Sequence, residues 1–283
     1  MVKTPIMGNN FTIGYLGPPG TFSEQAALIV KNDQKRTDIS LIPFPSIEDV
    51  FAAAAGGQAD LAVVPLENSN EGAVNITMDN LIFGSNLFIR RQIALPIAQC
   101  LMTRPGMVHT DIIYSHSQSL AQCRQYLRKY YPGALLIPVS SNAEAARLIS
   151  QGNGNEAAIG PKPAAELYGL HIKAENIQDH GGNVTTFAAL SAGDADEPLP
   201  GGRTTIAFST ENEPGSLYKV LNIFSLWDIN LTKILSRPMK GKPGEYAFYV
   251  DLEDYEAKDL QDALTMIGRK TDFYNYLGSY PKP

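Results

Sequence analysis

Phe11-Thr12-Ile13-Gly14-Tyr15-Leu16-Gly17-Pro18-Pro19-Gly20-Thr21-Phe22-Ser23-Glu24-Gln25-Ala26-Ala27-Leu28-Ile29-Val30 sets the plan of the chain. An apolar run of strand length stops at a Gly-Pro-Pro-Gly turn, where proline cannot continue a ladder and glycine admits turn geometries. Thr21 and Ser23 then offer hydroxyls ahead of an apolar run, so a capped helix follows whose first amides point back into the turn. Such a helix start favours an anion, with a plain strand-to-helix connection as the competing reading. Residues 41–44 followed by 46–54 repeat the plan, which predicts an α/β lobe.

Outward from there, predicted strands keep ending in polar clusters. Residues 61–66 read as a buried strand leading into Glu67-Asn68-Ser69-Asn70-Glu71, and Asp111-Ile112-Ile113-Tyr114 leads into Ser115-His116-Ser117-Gln118, with Gln122 further along the helix. Ile137-Pro138-Val139 opens into Ser140-Ser141-Asn142, residues 156–161 form a strand and turn, and residues 93–103 read as one more apolar strand. Asp179-His180-Gly181-Gly182-Asn183-Val184-Thr185-Thr186-Phe187 is a loop feeding a strand through Ala188-Ala189-Leu190. Polar groups at the carboxyl ends of strands stand where open α/β sheets hold ligands; for Asn68 and Ser69 simple helix capping is the competing reading. His116 has no nucleophilic or acidic partner at a readable spacing, so a hydrogen-bond bridge is expected there rather than a base. Two α/β lobes crossed by the chain predict a cleft faced by these clusters.

Residues 191–202 are polar and rich in Gly and Pro with no hydrophobic period, the signature of a linker. Strands at 204–209, 229–236, 246–252 and 273–280 with helices at 215–226 and 257–267 then give the order βαββαβ, a split βαβ with helices on one face of an antiparallel sheet. A length of 283 residues suits two domains, and 44% hydrophobic with 18% charged residues describes a chain able to bury a core. The formal charge of −6 gives no field for a polyanion, which argues against nucleic-acid binding. Cys100 and Cys123 are the two cysteines, without metal-ligand spacing, and are expected as buried thiols in a reducing cytoplasm. Residues 1–10 lack the apolar core of a secretory signal, and no stretch approaches the roughly 20 apolar residues of a membrane span.

Gly17-Pro18-Pro19-Gly20-Thr21-Phe22-Ser23, Pro65-Leu66-Glu67-Asn68-Ser69, Ser115-His116-Ser117-Gln118 with Gln122, and Asn183-x-Thr185-x-Phe187 together resemble the prephenate dehydratases, in order and over nearly the whole chain. Residues 203–280 look like the ACT domain of that family, with Pro214-Gly215-Ser216-Leu217-Tyr218 and Leu235-Ser236-Arg237-Pro238 matching its effector segments. The resemblance implies a two-lobed, periplasmic-binding-protein-like α/β catalytic domain over 11–192, a linker at 193–202 and an α+β, ferredoxin-like ACT regulatory domain over 203–280. It implies a cytoplasmic enzyme, homodimeric or homotetrameric, that turns prephenate into phenylpyruvate, water and carbon dioxide in L-phenylalanine biosynthesis. No metal, flavin or nicotinamide is implied, and L-phenylalanine is the implied effector. Thr185 matches the threonine at the leaving hydroxyl, where a hydrogen-bond donor to developing charge is expected. Gly20, Thr21, Ser23, Asn68, Ser69, Ser115, Gln122, Asn183 and Phe187 match substrate-binding positions. Gly215, Ser216, Leu217, Asn230, Ser236 and Arg237 match effector-binding ones. Two departures stand out: Thr186 occupies the family's arginine position and removes a permanent cation, and Leu235 replaces a glutamate. The first leaves a prephenate decarboxylase that keeps the hydroxyl, or an inert ligand-binding sensor, as alternative readings.

Overall fold

The computed structural model describes residues 11–282 apart from 85, 240 and 243, so the expectation about residues 1–10 lies outside the described residues. The chain runs β1 (Phe11–Leu16), α1 (Phe22–Asp33), β2 (Ile39–Phe44), α2 (Ile47–Ala55), β3 (Leu61–Asn68), β4 (Gly72–Ala73) and α3 (Asn75–Asp79) into a π-helical turn at Asn80–Gly84. It continues with β5 (Phe88–Pro96), β6 (Cys100–Thr103), β7 (Ile112–His116), α4 (Ser117–Gln122), α5 (Arg124–Tyr130), β8 (Leu135–Val139), α6 (Asn142–Gln151), β9 (Glu156–Gly160), α7 (Lys162–Leu167), β10 (His171–Ala174) and β11 (Val184–Ser191). β12 (Arg203–Ser209), α8 (Ser216–Leu226), β13 (Asn230–Pro238), β14 (Tyr246–Glu253), α9 (Ala257–Lys270) and β15 (Tyr274–Tyr280) complete it. Among the described residues the result is a mixed α/β fold with three sheets.

The first sheet has the order β2-β1-β3-β11-β5, with the short β4 beside β3, and β1 lies parallel to β2 from Phe11 opposite Ile39 to Leu16 opposite Phe44. The second has the order β10-β6-β9-β7-β8, where β7 runs parallel to both β8 and β9 while β6 is antiparallel to β9 and β10. The third, β13-β14-β12-β15, is antiparallel throughout. By compactness the chain forms two units: one holds the described chain up to Ser46 with Glu67–Gly72 and Ala94–Phe187, the other Ile47–Leu66, Ala73–Ile93 and the chain from Ala188.

The apolar run expected as a single strand over 93–103 is two strands in different sheets. β5 ends at Pro96, and the amides that follow leave the ladder: Ile97 donates to the Asn183 carbonyl (2.8 Å) and Gln99 to Gln178 Oε1 (3.0 Å). This break puts Ile97 and Gln99 in a loop, free to face a cavity.

In the third sheet β12, β14 and β15 bury residues of both faces, for different reasons, while the edge strand β13 alternates exposed and half-buried residues. Ile206, Phe208, Val250 and Leu252 pack under Val220 and Phe224 of α8 and Leu260 and Ile267 of α9, an apolar layer worth about 1.5–3 kcal/mol per fully buried side chain. The alternate residues make a polar layer. Thr205 donates to Asp251 (2.7 Å) and meets the Tyr280 hydroxyl (2.5 Å), which accepts from Gln92 Nε2 (2.7 Å). Arg203 bridges Glu253 and Gln92. Gly278 sits at φ +130°, and a Cβ there would run into the Ile89 carbonyl, so only glycine lets β5 approach so closely.

Candidate active site

The first unit contains a pocket of about 190 Å³, the scale of a cavity that accepts a benzene-sized ring. Its walls are the loop-and-helix starts that the sequence marks as polar clusters. From the first sheet come Thr21, Phe22 and Ser23 at the start of α1, Asn68 at the end of β3, and Asn183 and Thr185 around the start of β11. From the second come Ile97 and Gln99, the α4 segment from His116 to Gln122, and Ser140, Ser141 and Asn142 at the start of α6.

Each helix start is built by its own sequence. Thr21 Oγ1 accepts the Glu24 amide (3.3 Å), and Ser141 caps α6 by accepting the Glu144 amide (3.0 Å). Both leave their next amides without intrahelical acceptors. His116 caps α4, its Nδ1 accepting the Gln118 amide (3.4 Å), which is the bridging role expected from sequence. With Nδ1 accepting, neutral His116 carries its proton on Nε2. Among the described residues no Lys, Arg, Asp or Glu lines the pocket. A bound anion is therefore met by the positive ends of α1 and α6 and by neutral donors, each end worth about 0.3–1 kcal/mol or more when partly buried.

Thr185 and Asn68 form the most ordered pair. Asn68 Oδ1 accepts the amides of Asn70 (3.0 Å) and Glu71 (3.3 Å), so its Nδ2 is fixed as the end that donates to Thr185 Oγ1 at 2.8 Å. A threonine hydroxyl that accepts in this way keeps its own proton for a third group. Beside them Asn183 Nδ2 reaches Gln122 Oε1 (3.5 Å), which turns Gln122 Nε2 into a buried donor with no partner among the described residues. A buried amide of that kind costs free energy until something accepts from it.

Of the residues expected to bind substrate, Thr21, Ser23, Asn68, Gln122, Asn183 and Thr185 line one pocket, and four others stand behind it. The Gly20 amide is taken by Glu24 Oε2 (2.6 Å), so it is not offered to a ligand. Ser69 holds the strand start instead, donating to Asn183 Oδ1 (3.2 Å) and accepting the Val184 amide (3.0 Å). Ser115 is fully buried, and its hydroxyl lies between the Ile159 carbonyl (2.8 Å) and Asn142 Oδ1 (3.0 Å). Phe187 is core, one strand repeat beyond Thr185. Thr186 points to the face of β11 opposite Thr185 and does not line the pocket, since successive strand residues alternate. Gln118, Ser119 and Asn142 also line it, from clusters legible as helix starts, and Gln99 lines it from the loop after β5 that the apolar run conceals.

The expected effector residues occupy two places in the second unit. Gly215 (φ +82°), Ser216 and Leu217 open α8; Asn230, Ser236 and Arg237 lie on β13, the edge strand of the third sheet. Arg237 is engaged by Asp79 (2.8 Å) and Asn75 (2.8 Å), and Asn230 by Asp254 (3.3 Å). Both cysteines are buried and free, and burial pushes the Cys123 thiol up to about 12, far from thiolate chemistry at neutral pH.

Among the described residues the pocket walls carry neutral amide and hydroxyl groups at helix starts, an arrangement able to hold a small ring-bearing anion. The prephenate dehydratase family model matches residues 13–195. The bifunctional chorismate mutase/prephenate dehydratase of Aquifex aeolicus (strain VF5) is 39% identical over 95% of this chain and 73% of that protein. The prephenate dehydratase of Lactococcus lactis subsp. cremoris is 37% identical over 88% and 89%. The crystal structure of prephenate dehydratase from Arthrobacter aurescens in complex with L-Phe superposes with a TM-score of 0.85 at 34% identity, covering 96% of this chain and 90% of that one. The chain belongs to the prephenate dehydratase family, a family of carbon–oxygen lyases.

Proposed function

We propose that the pocket converts prephenate to phenylpyruvate, with Thr185 as the donor to the departing hydroxyl. As the C1 carboxylate leaves as carbon dioxide, the electron pair of the broken C–C bond enters the ring, makes it aromatic and expels the C4 hydroxyl with its own pair. Thr185 donates to that oxygen as charge grows on it, and solvent supplies the proton that completes water. The observation that carries this reading is the Asn68–Thr185 pair, because the fixed amide occupies the threonine as an acceptor and leaves its proton for the substrate. Ring aromatisation drives the reaction, so positioning and charge stabilisation suffice for the protein's part.

Residues 11–192 would form the catalytic domain, two-lobed in the manner of periplasmic binding proteins, with 193–202 as linker and 203–280 as an ACT domain. The βαββαβ order of the last six elements supports that last assignment. L-phenylalanine is the effector that fits, in a cytoplasmic homodimer or homotetramer. Purified protein incubated with prephenate should yield the alkaline absorbance of phenylpyruvate. Consumption of prephenate to a non-aromatic keto acid would transfer the assignment to a decarboxylase, and binding without turnover to a sensor.

A further inference from the structure

Asn142 carries an arrangement that no motif announces. Its Oδ1 accepts from the His116 backbone amide at 3.1 Å and from Ser119 Oγ at 3.1 Å, and Ser115 Oγ lies 3.0 Å away with its one proton shared between Asn142 and the Ile159 carbonyl at 2.8 Å. A backbone N–H can only donate, so the atom it meets is the amide oxygen, and the other end of the side chain is the NH2 group. Ser119, its proton directed at Asn142, accepts in turn from Gln99 Nε2 at 3.1 Å, which fixes the whole chain of hydrogen bonds in one direction. The Asn142 NH2 makes no hydrogen bond to the described residues, and Asn142 lines the pocket at the first position of α6.

We propose that Asn142 is a substrate-binding residue whose Nδ2 donates to the carboxylate of the pyruvyl side chain, with Ser115 and Ser119 as the positioning residues that aim it. The inference rests on the reading of the pocket as a prephenate site. Prephenate carries its hydroxyl at C4 and both carboxylates at the C1 end, so donors for the carboxylates must lie away from Thr185. Asn68 and Thr185 come from strands of the first sheet; Asn142 comes from the helix that packs on the second. Of the two carboxylates, the one on C1 sheds its charge in the transition state, and a donor held on it would slow its loss. The pyruvyl carboxylate persists into product, so a fixed donor on it binds substrate, transition state and product alike. Ser115, whose hydroxyl is already engaged by Ile159 and Asn142, then acts on the substrate only through Asn142.

The test is Asn142→Asp, which keeps an oxygen for the His116 amide and the two serine hydroxyls while replacing NH2 by an acceptor. Expected are a rise of roughly 10- to 100-fold in KM for prephenate, a much smaller change in kcat, and a matching rise in the calorimetric Kd for phenylpyruvate. Asn142→Thr, which keeps an acceptor oxygen without a second charge, should move both constants the same way by less and serves if the aspartate variant does not fold. Ser115→Ala should raise KM in the parent chain and add little in the Asn142→Asp background, a non-additivity that a purely structural serine would not give. An Asn142→Asp protein with parental KM and parental phenylpyruvate Kd overturns the proposal, as does a loss confined to kcat. The Kd arm keeps the two readings apart: a parent chain that binds phenylpyruvate without making it defeats the proposed reaction and still reports on Asn142, and one that binds neither ligand defeats both.

Discussion

At the scale of single residues, the division of labour between Thr185 and position 186 is decided by strand geometry. Thr185 faces the pocket and accepts from Asn68, an arrangement that lets its hydroxyl donate to a group held there. Thr185→Val, which keeps the shape and removes the donor, should lower kcat about 100- to 1,000-fold with KM within about threefold of the parent, as for loss of a donor used only in the transition state. Steady-state kinetics decide it, and an unchanged kcat removes Thr185 from the reaction. Thr186 lies on the other face of β11, so an arginine at that position would not start from the pocket wall. Thr186→Arg should therefore alter kcat/KM by less than about tenfold, under about 1.4 kcal/mol of transition-state binding. A hundredfold gain would mean that the guanidinium reaches the substrate after all. Thr185, Asn68 and Gln122, grouped by the sequence motifs, line one pocket because each has a fixed place at a strand or helix end. They could not separate Ser115, which aims Asn142, from a residue that faces the pocket, because that depends on which way a hydroxyl turns at the end of β7.

At the scale of elements, local patterns were readable wherever one residue type dictates the backbone. Thr21 and Ser141 mark the helix starts as capping predicts, and the alternation of β12 and β14 matches a sheet with an apolar face and a polar one. The break at Pro96 was not readable, because the apolar run continues through it and only the partners of the Ile97 and Gln99 amides reveal two strands. The segment after β11 is a second case. Its composition reads as a loose linker, yet Arg90 of β5 donates to Ser191 Oγ (2.8 Å), the Asp194 carbonyl (2.9 Å) and Asp196 Oδ2 (2.5 Å), the Tyr276 hydroxyl donates to the Asp196 carbonyl (2.8 Å), and Ser279 Oγ accepts the Leu199 amide (2.8 Å). Such long-range partners leave no trace in a sequence window. Arg90→Ala should expose 192–202 to limited proteolysis at a rate well above that of the parent. It should lower Tm by about 2–4 °C, the effect of about 1 kcal/mol in a chain of this size, since part of the cluster is solvent-exposed. Equal cleavage rates for parent and variant would show that the strap is held by Tyr276 and Ser279 alone.

At the scale of the whole molecule, stability against pH sums opposing groups, and Asp251 runs against the rest. Asp38, Asp254 and Glu144 each have the carboxyl held below its usual range by a neighbouring Arg or Lys, so their contribution is present above the unfolded pKa and is lost in acid. Asp251 is buried in the polar layer of the third sheet, and desolvation raises its pKa although the Thr205 hydroxyl, Arg203 and Lys233 favour the charged form, with Tyr249 beside it. The folded chain therefore holds a proton on Asp251 over a window in which the unfolded chain has released it. Stability from this group is fully present below the unfolded pKa and falls as pH rises through the higher folded value, so above that range the group is a net cost. Asp251→Asn keeps an oxygen for Thr205, and Arg203 retains Glu253 at 2.6 Å, so the substitution removes the titration without orphaning either partner. The variant should melt at a higher temperature than the parent at neutral pH, and the gap should close as pH is lowered towards about 4, the unfolded value for aspartate. Because the other carboxylates titrate alike in both proteins, the difference in Tm at each pH isolates this one group. A gap that stays constant across that range would mean that Asp251 is compensated in the folded chain by Arg203 and Lys233 more completely than its burial allows.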